Sequence, residues 1–396
     1  MDNKRKIITI AYFDVNKKNG GAIFAKNLDQ YLNKTEYYKS IVYCNNRSNL
    51  SPKNLNKKKE NNISKSIISF IKKKFSTNKS IELLIHFIRN DVNAIILNAK
   101  LFFSNKIDKH CILVFHDHLS LFYFSLFFNI RNRKIVLIMH NDGSPEEMVS
   151  SAIHKKWKRN ILDKITNYQI KHSLINISKF IFLCDKAKNK FISKYGINPN
   201  FTFVIHNGLK QINANFSTFK EKNKIQFITV CTMNDRKGID IFIECLPKIN
   251  QHFEEKVNFT LIGQGPLLEK LVQLSSKYNN LTVVGESNNV NEFLINSDIF
   301  FLLSRTEGQP LSIVEALRAS LFVIATDVGC NGSMVNDSNG LLVELNEDAI
   351  IEAFTTTIIN WHIFKSKGIN SLNLFNENFT EEKMYQSYLK IFNSLL

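Results

Sequence analysis

No CxxC or CxH pairing links the six cysteines, Cys44, Cys111, Cys184, Cys231, Cys245 and Cys330, and this scatter argues against a zinc site and against a disulfide framework. They read as buried thiols of a reducing compartment. A secretory leader is also lacking: Met1-Asp2-Asn3-Lys4-Arg5-Lys6 runs into a short apolar stretch at 7–10 and then into polar residues, so a cytoplasmic location is expected. The most apolar run, residues 119–130 (LSLFYFSLFFNI), falls short of the roughly 20 residues that span a bilayer and reads as a core helix first, with a membrane-facing or acceptor-facing surface as the alternative. No short repeat is visible, and the helix-turn-helix, zinc-finger and aromatic patterns that would make nucleic acid a partner are missing.

Apolar mass and positive charge are what the chain does have. Its 396 residues suffice for two domains or more, and 44% hydrophobic with 22% charged residues is the balance of a folded protein rather than a disordered one. The net charge of +17 is unevenly divided, with 36 Lys/Arg against 14 Asp/Glu in residues 1–200 and 16 against 21 in residues 201–396. A basic first half implies an acidic partner, and an anionic membrane surface ranks ahead of nucleic acid. Lysines concentrate at 53–79 and 155–159, beside the apolar residues 67–71 and beside Ile161, Leu162 and Ile165, as in basic amphipathic helices. Such helices are either solvated lysine faces or adsorption surfaces, where each cation near anionic lipid contributes on the order of 1 kcal/mol.

Short β-rich runs alternate with helical patterns, the signature of parallel sheets with crossover helices. Strands are expected at 6–12, 40–43, 94–97, 112–116, 135–140, 180–184 and 203–206, then at 226–231, 258–263, 281–284, 299–303, 322–326 and 340–343. The expected class is α/β with two doubly wound, Rossmann-like domains and a boundary in the polar stretch 207–224.

Ligands of open α/β sheets bind at the carboxyl ends of the strands, so chemistry belongs in the loops after them. Gly20-Gly21 follows the first strand and leads into a helix; it is either a plain tight turn or a place where free helix N–H groups meet a phosphate. Gly263-Gln264-Gly265-Pro266 repeats that pattern in the second half. The richest stretch is Ser304-Arg305-Thr306-Glu307-Gly308-Gln309-Pro310-Leu311-Ser312-Ile313-Val314-Glu315. Pro310 suits the first turn of a helix, which puts Glu307 in the loop before it and Glu315 about a turn and a half inside. The segment offers two carboxylates for hydroxyls and an N–H nest for phosphate, although two unrelated surface glutamates would have the same spacing.

With these residues in order, the second half resembles the retaining glycosyltransferases of the GT-B superfamily, family 4. The resemblance covers most of 204–345: Val204-Ile205-His206-Asn207-Gly208, Arg236-Lys237-Gly238-Ile239-Asp240, Gly263-Gln264-Gly265-Pro266, Ser297-Asp298-Ile299-Phe300, the E-x7-E pair Glu307 and Glu315, Ala325-Thr326-Asp327-Val328-Gly329 and Asn339-Gly340-Leu341-Leu342-Val343. It implies a basic acceptor-side domain at 1–207, a nucleotide-sugar domain at 208–375 and a C-terminal helix at 376–396 that packs back on the first, with the two domains facing across a cleft. It also implies transfer of a sugar from a nucleotide-diphosphate sugar, UDP-sugar first, and the basic first half suggests a hydroxyl of a membrane-associated or lipid-linked glycan as the acceptor. No metal or other cofactor is expected, and the place would be the inner face of the cytoplasmic membrane.

By the same resemblance Glu315 would hold the ribose hydroxyls, Glu307 would meet the transferred sugar, and Lys237 would neutralise the leaving diphosphate. Arg236, Gly20, Gly21, Gly263, Gly265, Glu286, Gly308, Gln309, Pro310 and Leu311 would complete the donor site. A leaving diphosphate gains charge in the transition state, so prearranged donors act most strongly there. His140, closing its strand, would stand near the reacting sugar, and His116 and Asp117 would meet the acceptor. One departure stands out: the family places an arginine five residues before the lysine, and here Thr232 stands there. A hydroxyl donates one hydrogen bond but carries no charge. A transferase with a soluble acceptor and a non-catalytic GT-B subunit that binds a partner remain as alternatives.

Overall fold

The structure is a computed structural model that describes residues 5–11, 20–44, 82–104, 107–144, 156–212 and 223–396. The lysine-rich segment 53–79 lies outside the described residues. The chain forms two compact units, Met1–Ile205 with Tyr385–Leu396 and His206–Met384.

In the first unit the described strands are β1 (Arg5–Ala11), β2 (Tyr38–Cys44), β3 (Ile112–Phe115), β4 (Lys134–Met139), β5 (Lys179–Phe182) and β6 (Thr202–Val204). They form a parallel sheet in the order β2-β1-β3-β4-β5-β6. All four residues of β3 are buried, and so are the last five of β4, as expected of strands covered by helices on both faces.

The strand expected at 94–97 is instead the middle of the helix Glu82–Ser104. Asp91, Ala94, Leu97, Asn98 and Leu101 are its buried positions among the described side chains, and a spacing of three and four is a helical face. A four-residue apolar run reads equally well as strand or buried helix, and here the longer period around it wins. The apolar run at 119–130 does form a core helix, His118–Phe127, buried from His118 to Phe124. The second basic segment opens the helix Lys156–Ser173. Among the described residues no helix is long and apolar enough to cross a membrane.

The second unit holds β7 (Ile225–Val230), β8 (Val257–Ile262), β9 (Leu281–Gly285), β10 (Ile299–Leu302), β11 (Phe322–Thr326) and β12 (Gly340–Val343), again parallel, in the order β12-β11-β10-β7-β8-β9. Alternate residues of its strands feed two separate cores. Phe227, Phe259 and Phe301 pack with Phe242 and Phe354 on one face, while Ile228, Phe300 and Leu302 pack with Ile313, Leu317 and Phe375 on the other. Truncating a phenylalanine in such a core costs about 3–5 kcal/mol.

The last helix, Glu381–Asn393, carries the chain from the second unit into the first. Tyr385 stacks on Tyr31 at 4.1 Å, Tyr388 lies 5.4 Å from Phe24, and the Tyr38 hydroxyl donates to Asn393 Oδ1 at 2.6 Å. Positions 385, 388 and 392 share one helical face, which explains why a short terminal helix is held.

Cys44, Cys111, Cys231 and Cys245 are free thiols.

Candidate functional site

In each sheet the strand order reverses once, and the carboxyl edge at that reversal is where a doubly wound sheet leaves a crevice. In the second unit the reversal falls between β7 and β10. The loop after β7 carries Thr232, Arg236 and Lys237, and the loop after β10 carries Ser304 to Pro310, so two distant motifs become neighbours.

They are joined by several bonds. Arg305 N–H donates to the Arg236 carbonyl at 2.8 Å, and Arg236 Nη1 donates to the Thr306 carbonyl at 3.2 Å. The Arg305 guanidinium holds Asp240 with two bonds of 2.8 and 2.7 Å and also reaches the Asp235 carbonyl. Lys237 Nζ is paired with Glu307 Oε1, an oxygen that also accepts from Ser304 Oγ at 2.6 Å. Side-chain exposures of 12% for Lys237 and 6% for Glu307 make this a largely dry ion pair, where Coulombic attraction is strong and an unpaired partner would be costly. Cys231, beside them, stays a protonated thiol because burial pushes it up to about 11 against the pull of Lys237.

Glycines let the loops approach. Gly238 (φ +70°) and Gly329 (φ +56°) are left-handed, and a Cβ on either would collide with the backbone of the 303–308 segment, at Leu303 and at Glu307 and Gly308. Gly263 and Gly265 lie as close to the backbone of Cys231 and Met233. The loops after β7, β8, β10 and β11 thus form one packed layer, and Cys330 N–H donates to the Gly308 carbonyl at 2.9 Å.

Pro310 caps the helix Leu311–Arg318 rather than lying within it. Burial raises the Glu315 carboxyl above its usual range, and the nearby Arg318 guanidinium only partly offsets this. Gln309 is buried, with its amide oxygen on Asn207 N–H at 2.7 Å and its nitrogen near Met334 Sδ. Glu286 follows the edge strand β9 and is exposed. Thr232 is also exposed.

Two arginines escaped the sequence reading. Arg305 ties the two joined loops together through Asp240 and the Asp235 carbonyl. Arg318 is buried, and its guanidinium donates to the Lys210 carbonyl at 2.8 Å and to Asn291 Oδ1 at 2.7 Å. The available signal was Glu315-x-x-Arg318, an acid and a base one helical turn apart.

The remaining candidates lie in the first unit, whose reversal falls between β1 and β3. Gly20 and Gly21 open the helix Gly20–Lys34, in the turn where backbone N–H groups lack helical partners. His116 directly follows β3 and His140 directly follows β4. Their rings are bonded, Nδ1 of His116 to Nε2 of His140 at 3.0 Å. Burial holds the pKa of both below the ordinary histidine value, His116 far below and His140 at about 4. Asp117 caps the helix His118–Phe127, accepting from Ser120 N–H at 2.6 Å and Ser120 Oγ at 2.9 Å.

Two parallel doubly wound sheets with a terminal helix returning to the first define the GT-B fold. Solved structures agree: HepE of Anabaena in complex with UDP superposes with a TM-score of 0.67 at 15% identity, covering 98% of this chain and 100% of that one. Residues 224–360, within the second unit, match the family described as Glycosyl transferases group 1.

Among curated proteins, one of the human phosphatidylinositol N-acetylglucosaminyltransferase subunits is 25% identical over 199 residues, 49% of this chain and 41% of that protein. The capsular polysaccharide biosynthesis glycosyltransferase CapH of Staphylococcus aureus is 24% identical over 268 residues, 66% of this chain and 71% of that protein. The chain therefore spans less than half of the human relative's length.

Proposed function

We propose that this protein is a retaining glycosyltransferase of family 4. It would move a sugar from a nucleotide-diphosphate sugar, UDP-sugar first, to a hydroxyl of a membrane-associated or lipid-linked glycan. The observation that carries the reading is the Lys237–Glu307 pair at the strand-order reversal of a group 1 domain.

In this reading the leaving diphosphate takes over Lys237, which frees Glu307 for the sugar hydroxyls, and Glu315 holds the ribose. Phosphate charge is met by Lys237, by the N–H groups of Gly308, Gln309 and Leu311, and by Arg236, whose guanidinium supplies the cation that Thr232 lacks. Such fixed donors stabilise the departing charge most in the transition state. No metal is assigned, and the departing phosphate itself takes the acceptor proton on the retained face.

A polysaccharide or lipid-linked acceptor is supported by the names of the human and staphylococcal relatives, and UDP by the Anabaena complex. The basic first half supports attachment to an anionic membrane at its cytoplasmic face.

The test is a thermal-shift screen of the protein with UDP, GDP, ADP and CMP, free and as their sugars, repeated with Glu315→Ala. Stabilisation by one nucleotide, lost in the variant, is expected. No stabilisation by any of them overturns the reading. Binding without turnover would favour the non-catalytic role, an outcome motivated by Thr232.

A further inference from the structure

Two histidines from neighbouring strands make the least ordinary contact of the first unit. β3 and β4 run parallel in the register Ile112↔Lys134 to Phe115↔Leu137, so His116 and His140 leave the sheet at the same carboxyl edge, two residues out of step. The ring planes lie within 7° of each other with centroids 5.3 Å apart, and the 3.0 Å contact joins Nδ1 of His116 to Nε2 of His140. Nearly parallel rings at that N–N distance suit an N–H on one ring and the in-plane lone pair on the other.

Phe24 meets both rings edge-on, at 5.5 Å from His116 and 5.4 Å from His140, and Tyr388 backs Phe24 from the terminal helix. Neither ring can turn freely. His116 is 3% exposed, whereas His140 keeps part of its surface open. The buried ring is therefore badly placed to touch a ligand and well placed to orient the ring that can.

We infer that His116 is a positioning residue that locks His140 into a single tautomer and so determines what His140 Nδ1 offers to a ligand. Two neutral imidazoles share two protons among four nitrogens, and the bond between them ties the choices together. If Nε2 of His140 accepts, its proton must sit on Nδ1, which then donates; if Nε2 donates, Nδ1 presents a lone pair. Only these two paired arrangements keep the bond, so the proton position on His116 dictates whether His140 Nδ1 donates to a ligand hydroxyl or accepts from it. This deepens the place near the reacting sugar that the family resemblance gives His140, and it rests on the glycosyltransferase reading for its link to turnover.

The test uses the full chain labelled with 15N in the histidine rings and long-range 1H–15N correlation at pH 7, with His140 assigned by His140→Gln. One protonated-type and one bare nitrogen are expected for His140. In His116→Phe, which keeps a ring but loses the bond, the two signals should move toward an average. In His116→Asn, whose amide reaches where Nδ1 stood, the single tautomer should return. Averaged signals in the unsubstituted protein, or an unchanged pattern in His116→Phe, overturn the lock.

Turnover is the second readout: kcat is expected to fall about tenfold or more in His116→Phe, with donor KM within about twofold, and to recover in His116→Asn. If the spectra behave as expected while no nucleotide sugar is turned over, the lock stands and the glycosyltransferase reading falls. Should turnover be present but the spectra ignore His116, the reading stands and the lock falls.

Discussion

Gly238→Ala and Gly285→Ala separate what a left-handed backbone costs from what the joined loops cost. Both glycines lie in the second unit with nearly the same φ, +70° and +75°. Alanine at either site carries a backbone penalty of about 1–2 kcal/mol, which cancels in the comparison. Their surroundings differ. The atom nearest a new Cβ at Gly285 is the mobile end of Gln264, at 3.4 Å, whereas at Gly238 the Cβ would stand 1.8 Å from the Leu303 carbonyl oxygen.

Real Cβ atoms essentially never come within 3.0 Å, so the loops after β7 and β10 must part by about 1.2 Å. That stretches the 2.8 Å bond from Arg305 N–H to the Arg236 carbonyl to about 4 Å, beyond bonding range. Overpacking of about 1–3 kcal/mol and about 1 kcal/mol for the lost bond put Gly238→Ala roughly 2–4 kcal/mol below Gly285→Ala. For a unit of this size each kcal/mol moves Tm by about 2–4 °C, so scanning calorimetry should show a gap of roughly 5–15 °C in the transition of the second unit. Equal melting of the two variants would refute the account, because the backbone term alone would then explain both.

Two further outcomes follow from the same site. Lys237→Met leaves Glu307 buried beside Ser304 without its cation, Glu307→Gln leaves Lys237 in the same position, and the double variant removes both charges. Denaturant unfolding of this cycle should give a coupling of about 1–3 kcal/mol, and simple additivity would show that the pair is not electrostatically linked. For Glu315 the folded carboxyl is raised by burial, so the fold favours its protonated form. Its contribution is therefore present at acid pH and lost as pH rises through the raised value. Glu315→Gln should melt higher than the unsubstituted protein near pH 7, with the gain shrinking as pH falls into the usual carboxylate range; a gain independent of pH would contradict this.

The parallel architecture was legible in the residues themselves. Strands such as Ile-Leu-Val-Phe and Ile-Phe-Phe-Leu are continuously apolar because both faces are covered, and that pattern needs no knowledge of partners. Glycine and Pro310 marked the loop that carries Glu307, since only particular residues tolerate such turns, whereas Lys237 was singled out only by the family resemblance. Residues 94–97 misled for the opposite reason: four apolar residues make about one helical turn or two strand periods, too little to tell the two apart, so the surrounding helix settled their state.

Contacts made across long stretches of chain lay beyond that reach. The salt link of Arg305 to Asp240, the burial of Arg318 against Lys210 and Asn291, and the commitment of Gln309 to Asn207 all depend on which strand ends become neighbours. The same holds for Asp117, whose type and position fit a ligand contact and a helix cap equally well until the chain of His118–Phe127 turns beneath it. Residue types and their periods are local, so they specify strands, helices and loops. Which side chains share a proton or a charge depends on the order in which the strands assemble, as with His116 and His140, whose bond exists because β3 and β4 lie side by side.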